Sequence, residues 1–252
     1  MSPRPYRLGQ RQTASEQTRT RIVAAARELL MSPGGYSTFS IETVARQADV
    51  ARMTVYHRFG SKLGLLEALC DSLAASSGIE ELGTAFQQPE PREALNRYIE
   101  IFGRFWDADR LIMRRLRALA ALDPDVAQLM QTRDEWRRRG GRAIAQRLLA
   151  KEAPSAGEIR QENAHGFSSD ESQASSPGED CKESFPGHWF AGGQALPADT
   201  TFNELVDVLF LLTSFETFDV LAGSTRSPLE VVPIVQRLAR AALEGKTRGA
   251  SY

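Results

Sequence analysis

The stretch SIETVARQADVARMTVYHRFGSK, residues 40–62, decides the fold. Ser40 is a favourable N-cap for a short helix over residues 41–47, because its hydroxyl can accept a hydrogen bond from the first helical turn. A second short helix is predicted over residues 52–59, and Gly60 ends it. Two short helices joined by a tight turn form a helix-turn-helix, so the pattern predicts that motif here.

The stretch also meets the packing requirements of a helix-turn-helix. A small residue is needed where the two helices cross, and Ala45 supplies it. The turn needs a residue that tolerates a left-handed backbone, which Asp49 does at some cost relative to glycine. The apolar residues that would hold the two helices at a fixed angle are correctly spaced: Val44, Ala48, Val50, Val55 and Phe59.

The opposite face of the second helix carries Arg52, Thr54, Tyr56 and His57. Such a mixture of hydrogen-bond donors suits a helix in the DNA major groove. Local charge agrees, since residues 1–62 hold ten basic and four acidic residues, a net charge of +6, although the whole chain carries −1. A polyanion would therefore be attracted to this end of the molecule.

A resemblance to a known family rests on Gly35-Tyr36, on residues 40–45, on Asp49-Val50 and above all on TVYHRFGSK at residues 54–62. The last segment matches the pattern T-L-Y-x-x-F-x-S-K with valine for leucine. The sequence resembles the TetR family of transcriptional regulators, closely over residues 18–70. The resemblance implies an all-α fold of about nine helices. An N-terminal three-helix DNA-binding domain would span 18–66, and a C-terminal ligand-binding and dimerisation domain would span 67–245.

The resemblance also implies roles for single residues. Ser40 and Lys62, each at the start of a helix, would contact phosphates. Tyr56 and His57 would donate hydrogen bonds to further phosphates. The residues that open the recognition helix would face bases or backbone, with Arg52 to guanine as the most plausible specific contact; they are Arg52, Met53 and Thr54.

Glu42 lies where some family members place a base-contacting side chain. It would then accept from a cytosine amino group, but stabilising the first turn of its own helix is the interpretation we favour. The sequence departs from the family pattern at three positions. Asp49 replaces a turn glycine, Ala51 replaces a capping serine, and Arg58 replaces an aromatic residue and adds a candidate phosphate contact.

Residues 1–17 are predicted to form a flexible basic arm that contains Arg4, Arg7 and Arg11. Such an arm either enters a minor groove or remains a solvated tail, and we favour the tail. Residues 154–198 are rich in Ser, Gly, Pro and acids, so we expect a disordered insertion.

Helical patterns cover most of the remaining chain. They predict helices over residues 17–31, from Pro91 onward, over 110–121, 126–150, 203–222 and 228–244. The capping-box sequence Ser227-Pro228-Leu229-Glu230 opens the last one. Arginines recur in the helices at 110–121 and 126–150, and we expect most of them on solvated faces with partners four residues away.

Aromatic and methionine residues of the middle helices suit either simple core packing or the lining of a ligand cavity. By resemblance to the family, some of them would face a cavity for a mostly apolar effector with a few polar anchors. The candidates for this lining are Phe102, Phe105, Trp106, Met113, Met130, Phe215 and Phe218.

The chain offers no metal-ligand spacing, nucleophile motif, phosphate-binding glycine loop or paired carboxylates. We therefore expect no enzyme activity, no metal and no cofactor. Charges interrupt the most apolar run, residues 205–221, so a membrane partner is not expected. The N-terminus lacks an apolar signal core, and Cys70 and Cys181 require no disulfide, so we expect a reduced cytoplasmic location.

These observations predict a DNA-binding transcriptional regulator. A homodimer joined through the helices at 203–222 and 228–244 would bind double-stranded DNA at a palindromic operator. An unidentified small-molecule effector would release the DNA. Repression is the expected mode, with activation as the alternative. Two other classes remain: an adaptor protein that keeps the fold without binding DNA, and a small-molecule enzyme on a helical scaffold.

Overall fold

The computed structural model describes residues 5–35, 37–152 and 200–249, and within these ranges the chain forms eleven α-helices and no strand. The all-α prediction is confirmed. Tyr36, Cys181 and the predicted insertion at 154–198 lie outside the described residues.

Four helices build the N-terminal domain: α1 (Pro5–Met31), α2 (Ile41–Gln47), α3 (Arg52–Phe59) and α4 (Lys62–Ser76). Helix α1 packs against α2 and α4, and α3 packs against the same two helices. Their shared core consists of fully buried side chains from all four helices: Ile22, Ala26, Leu30, Val44, Val55, Leu65, Leu66 and Leu69. This core fixes α3 on its inner face.

Helix α1 begins twelve residues earlier than the expected start at residue 17. Residues 5–17, for which we expected a flexible arm, are thus part of a helix, while residues 1–4 lie outside the described part. Pro5 is compatible with a first helical turn, where its missing N–H has no partner to lose. The next twelve residues contain no further proline and are mostly good helix formers such as Arg, Leu, Gln and Ala, which explains the extension.

The larger C-terminal domain contains α5 (Leu82–Gln87), α6 (Pro91–Ala108), α7 (Arg110–Ala120), α8 (Pro124–Glu152), α9 (Thr200–Leu212), α10 (Phe215–Ala222) and α11 (Val232–Gly249). Helix α6 is central, since it packs against α5, α8 and α11. Among the described helices, none has both the length and the apolar character needed to cross a membrane.

The single helix expected over residues 203–222 is two helices in the structure. The buried Thr213 donates its hydroxyl proton to the carbonyl of Leu209 at 2.8 Å. Ser214 then caps α10 by accepting from the backbone N–H of Thr217 at 3.2 Å. Two adjacent hydroxyl side chains thus break the apolar run, because they bond to the backbone instead of continuing the helix. The short α5 is the other helix beyond the nine expected.

The predicted capping box before the last helix is confirmed. The Ser227 N–H donates to Glu230 Oε2 at 2.7 Å, and the Glu230 N–H donates to Ser227 Oγ at 3.3 Å. A short 3₁₀ turn, Leu229–Val231, separates this box from α11.

The two domains share a helix. The predicted boundary at residue 66 falls inside α4, which packs against α1 and α3 and also against α8. Helix α1 also packs against α7. Helices α7 and α8 are therefore in direct contact with the helices that support α3.

We expected the arginines of α7 and α8 to lie mainly on solvated faces, and the structure differs from this expectation. Most reach partners on other helices: Arg133 pairs with Asp71 of α4 at 2.6 Å, and Arg110 pairs with Asp219 of α10 at 2.6 Å. Arg147 donates to the carbonyl of Phe86 at 2.8 Å. They link elements distant in sequence, which a search for partners four residues away does not detect.

Candidate nucleic-acid interface

A reciprocal capping box fixes the start of α2. The Thr43 N–H donates to Ser40 Oγ at 3.1 Å, and the Ser40 N–H donates to Thr43 Oγ1 at 3.0 Å. This confirms Ser40 as the N-cap. Its side chain is half-buried and already engaged, so a phosphate at this point would be met mainly by the surrounding backbone N–H groups.

The turn between α2 and α3 has the backbone that the sequence required. Asp49 has a φ of 50°. Among the described residues, every other one with a positive φ is a glycine. The Val50 N–H donates to the carbonyl of Ala45 at 3.0 Å, and the Asp49 N–H donates to that of Arg46 at 3.2 Å. This pair of bonds is a Schellman motif with aspartate in the usual glycine position.

The two ends of α3 differ. Ala51, at the N-cap position, provides no side-chain hydrogen bond, as expected from the loss of a serine there. Gly60 ends the helix with a φ of 72°, and Ser61 caps α4 by accepting from the Gly64 N–H at 3.0 Å. The C-terminal end of α3 is therefore fixed by two special residues, whereas its N-terminal end is uncapped.

Helix α3 presents one buried and one open face. Val55 is completely buried, whereas Arg52, Met53 and His57 are exposed. Thr54 and Tyr56 are partly buried at the edge between the two faces. The structure thus brings together on the accessible side of α3 five of the residues that sequence analysis proposed for DNA contact: Arg52, Met53, Thr54, Tyr56 and His57.

Arg52 is pre-ordered by Tyr56, one turn along the same helix. Its Nη2 donates to the Tyr56 hydroxyl at 3.2 Å, and its guanidinium carbon lies 5.4 Å from the centre of the ring. That hydrogen bond raises the pKa of Arg52 further, so the guanidinium stays charged. A long side chain held by a stacked neighbour loses less entropy when it binds a base edge.

Glu42 is exposed in the first turn of α2, and its carboxylate lies 3.9 Å from Arg46 Nη2. A contact this long between two exposed groups leaves the carboxylate accessible. The position suits both interpretations, since a first-turn acid stabilises its own helix and an accessible carboxylate can accept from a base.

Lys62, the first residue of α4, is engaged across the domain boundary. Its Nζ lies 3.0 Å from Asp123 Oδ2. The other oxygen of Asp123 accepts from the Asp125 N–H at 3.1 Å and so caps α8. The hydrogen bond from Lys62 is the main cause of the lowered pKa of Asp123. The position of Asp123 before a proline indicates a helix start, but it does not identify Lys62 as the partner of Asp123.

Contacts between α1 and the C-terminal end of α3 were also missed. Arg58 Nη1 donates to Ser15 Oγ, and the Arg19 guanidinium carbon lies 5.1 Å from the centre of the Phe59 ring. The departure from the family pattern at Arg58 therefore has a structural partner in this protein. These two contacts hold the N-terminal half of α1 beside α3.

The seven candidates for a ligand cavity are divided by the structure. Phe102, Trp106, Met113, Phe215 and Phe218 are buried in the core, and Phe105 packs against it. Trp106 also donates its indole N–H to the carbonyl of Thr213 at 3.0 Å. Met130 is buried in the core as well, and it also lines an open cleft of about 670 Å³ between α7, α8, α9 and α10.

The cleft combines apolar and charged walls. Its apolar lining includes Met130, Phe210 and three alanines, and its charged lining includes Arg117, Asp134, Arg138 and Glu216. A cavity of this size with a few charged groups suits an amphipathic small molecule.

Asp134 is the centre of the charge network beneath the cleft. Arg117 binds it with two bonds, Nη1 to Oδ2 at 2.7 Å and Nη2 to Oδ1 at 2.8 Å, and Arg137 Nη2 lies 3.2 Å from Oδ1. Burial alone would raise the pKa of Asp134, but the two guanidinium groups outweigh it and the pKa is lowered. Arg137 is only 3% exposed, and the Asp134 carboxylate offsets part of the cost of burying its charge.

Comparisons with known proteins match the N-terminal domain. The family described as "Bacterial regulatory proteins, tetR family" matches residues 22–69. The HTH-type transcriptional regulator UidR of Escherichia coli is 38% identical over 58 residues, which cover 23% of this chain and 29% of UidR. That match thus spans less than a third of UidR. The family match at residues 22–69 contains α2, α3 and the start of α4.

One solved structure shows a likeness of fold over most of the chain, and a second one is reported beside it. A putative fatty acid metabolism regulator from Clostridium perfringens has a TM-score of 0.54 at 15% identity, with 89% of this chain and 97% of that one covered. GusR from Salmonella enterica has a TM-score of 0.48 at 16% identity, with 90% and 96% covered. At this level of identity the first of these shows the fold alone.

Proposed function

We propose that this chain belongs to the tetR family of bacterial regulatory proteins and is a transcriptional regulator that binds a palindromic operator as a homodimer. The observation that carries the proposal is the geometry of α3. Val55 anchors one face in the core, while Arg52, Met53 and His57 project from a rigid helix into solvent. A helix supported in this way matches the requirements of major-groove recognition.

Contacts to bases and contacts to phosphates divide among the site residues. Arg52 is the candidate for a guanine edge, and Met53, 59% exposed, is the candidate for a thymine methyl group. Ser40, Tyr56, His57 and Lys62 would bind phosphates and so set the register of α3 without selecting a sequence. Glu42 either accepts from a cytosine or stabilises its own helix.

The homodimer is supported by apolar surface on the last helices. Leu211 of α9 is 62% exposed, Val220 of α10 is 79% exposed, and Leu238 of α11 is 45% exposed. Large exposed apolar side chains on neighbouring elements favour association with another surface. Pairing through these helices in a twofold dimer would give two α3 helices about 34–36 Å apart, in successive major grooves.

Release by an effector is supported by the position of the cleft. Ala127 and Met130 of α8 line it, and Asp123 at the start of the same helix holds Lys62 of the DNA-binding domain. A ligand that binds better to one position of α8 would shift the spacing of the two α3 helices. The change in the free-energy difference between the two states equals the difference between the ligand's binding free energies for them.

The proposed mode of regulation and the proposed cellular location follow from the proposed DNA target. An effector that releases the operator makes the protein a repressor, with activation as the alternative. A protein that binds a bacterial operator works where the chromosome is, so the proposal includes a cytoplasmic location. The adaptor alternative differs in one property, because it predicts no binding to DNA from the promoter region of the protein's own gene.

Selection of bound sequences from a pool of random duplexes, with the full-length protein, tests the proposal. The expected result is an enriched palindrome with half-sites one helical turn apart. Sedimentation of the free protein and of the complex should give a dimer in both. Enrichment of no sequence would reject the regulator and leave the adaptor and enzyme classes.

A further inference from the structure

We propose that the N-terminal half of α1 is a second DNA-binding element, which contacts backbone phosphates outside the base pairs that α3 would recognise. We define the helical arm as residues 5–14. The inference rests on the proposed function, since it needs α3 in the major groove. It assigns a partner to a segment that the sequence had predicted to be a flexible tail.

The C-terminal half of α1 is fixed to the larger domain. Arg27 pairs with Asp109, whose side chain is only 6% exposed. Arg115 of α7 donates to the carbonyl of Ser32 at 2.8 Å and also to that of Leu30. These bonds set the direction in which α1 leaves the larger domain, and its N-terminal half runs toward α3.

The N-terminal half of α1 passes the C-terminal end of α3. Ser15 accepts from Arg58, and the Arg19 guanidinium stacks on the Phe59 ring at 5.1 Å. The helical arm then continues for ten residues beyond Ser15. At 1.5 Å per residue this is about 15 Å, enough to extend past the end of α3 and along the adjoining DNA backbone.

The helical state of the arm decides which part of the DNA it contacts. A helix with side chains is about 10–12 Å wide, whereas the minor groove is about 6 Å wide. Residues 5–14 therefore cannot enter the groove as a helix, in contrast to the extended arm considered from the sequence. The arm would lie across the sugar–phosphate backbone.

The charge of the arm fits a polyanion. Residues 5–14 contain Arg7 and Arg11 and no acidic residue, and the first acid of the chain is Glu16. Positions 7, 11 and 15 follow one another at four-residue steps, so they share one strip of the helix. Ser15, the member of the strip nearest the core, is the one that contacts α3.

The double variant Arg7→Ala/Arg11→Ala measures the arm's contribution. Its affinity is compared with that of the wild-type protein on a 40-base-pair duplex that carries the selected operator and on a random duplex of equal length. Loss of two contacts per protomer removes about four counterions from the dimer's binding equilibrium. The ratio of wild-type to variant affinity should then shrink on the order of 100-fold between 50 and 200 mM salt. The preference for operator over random DNA should stay constant.

Two further variants separate charge from shape. Arg7→Lys/Arg11→Lys keeps the charge, and its salt dependence should equal that of the wild-type protein. Gly9→Pro keeps both arginines but breaks the helix at mid-arm. In hydroxyl-radical footprints the wild-type protein should protect backbone positions outside each half-site. Arg7→Ala/Arg11→Ala and Gly9→Pro should lose this outer protection and keep the inner one.

The outcomes distinguish this inference from the proposed function. If the wild-type protein selects an operator but the double alanine variant keeps the same salt dependence and footprint, the helical arm is rejected and the regulator stands. If exchanging A·T for G·C pairs outside the half-sites changes the affinity, the arm enters the minor groove and the inference is wrong. If the wild-type protein binds no DNA, both proposals fail.

Discussion

The helix-turn-helix and the region beneath the cleft are stabilised in different ways. The first is held by contacts between residues a few positions apart, such as the box of Ser40 with Thr43 and the left-handed turn at Asp49. The second is held by charged pairs between helices, such as Arg117 with Asp134 and Arg110 with Asp219. Local contacts appear as sequence patterns, and long-range pairs do not.

The difference has an energetic side. A helix cap contributes about 1 kcal/mol, and its loss leaves groups that water can satisfy. A buried ion pair contributes little net stability, but removal of one partner leaves an uncompensated charge. Substitutions in the two regions should therefore differ in size and in what they disturb.

The largest expected effect is that of Asp134→Ala. It leaves the buried Arg137 and the partly buried Arg117 without their shared carboxylate. The free energy of unfolding should fall by about 3–5 kcal/mol. Urea unfolding with unchanged m-value measures this loss, since a changed m-value would indicate a loss of two-state behaviour.

Gln128→Ala on the same helix is the matched control for Asp134→Ala. Its side chain is exposed, so its effect on stability should stay within about 0.5 kcal/mol. If the two variants lose equal amounts of stability, the charge network is not what holds α7, α8 and α9 together.

The second prediction moves to the helix-turn-helix, where binding rather than stability should change. Arg52→Ala should cost about 1–3 kcal/mol of binding at one operator position and relax the base preference there. Affinity measurements on operators with single base-pair changes locate that position. Arg139→Ala removes the same charge from an exposed site on α8 and should leave every affinity unchanged. Equal losses for Arg52→Ala on operator and random DNA would reassign Arg52 to the phosphates.

Much of the interface follows from sequence because each requirement lies within a few residues. The spacing of Val44, Ala45 and Val55 predicts which side of α3 is buried, and the structure agrees. The cap at Ser40 and the positive φ of Asp49 follow in the same way. Each depends on hydrogen bonds that span at most five residues.

The remaining features depend on distant residues or on a local competition that periodicity does not capture. The partners of Lys62 and Arg133 are 61 and 62 residues away, so no local pattern identifies them. The break at Thr213 and Ser214 arises from hydroxyls that bond to the backbone within an apolar run. Most of the predicted cavity residues pack in the core because large aromatic side chains at helical spacing serve either role.

The third prediction concerns the ion pair that joins the two regions. Lys62→Ala should weaken binding to all DNA and flatten its salt dependence by about one counterion per protomer. Asp123→Asn should strengthen binding to all DNA, because it frees the ammonium group of Lys62 while an asparagine still caps α8. Lys62 is 37% exposed, so the gain in affinity should be at most about fivefold.

Affinity measured from 50 to 200 mM salt checks both variants of this pair. If Lys62→Ala keeps the salt dependence of the wild-type protein, Lys62 does not contact DNA phosphates. Weaker binding by Asp123→Asn would show that the ion pair positions α4 for DNA and does not compete with it. In that case the start of α8 supports the DNA-bound state.

The smallest expected effect is that of Asp49→Gly in the turn. Glycine adopts a φ of 50° without the steric cost of a Cβ atom, but it also loses more backbone entropy on folding. The net gain in unfolding free energy should be about 0.5 kcal/mol, with DNA affinity unchanged because the motif keeps both of its hydrogen bonds. Gly34→Asp reverses the exchange at a position with a φ of 71° and open space around it, and it should lose a similar amount. Thermal unfolding of the two variants measures both changes. A loss of stability in Asp49→Gly alone would show that the aspartate carboxylate stabilises the start of α3, which Ala51 leaves uncapped.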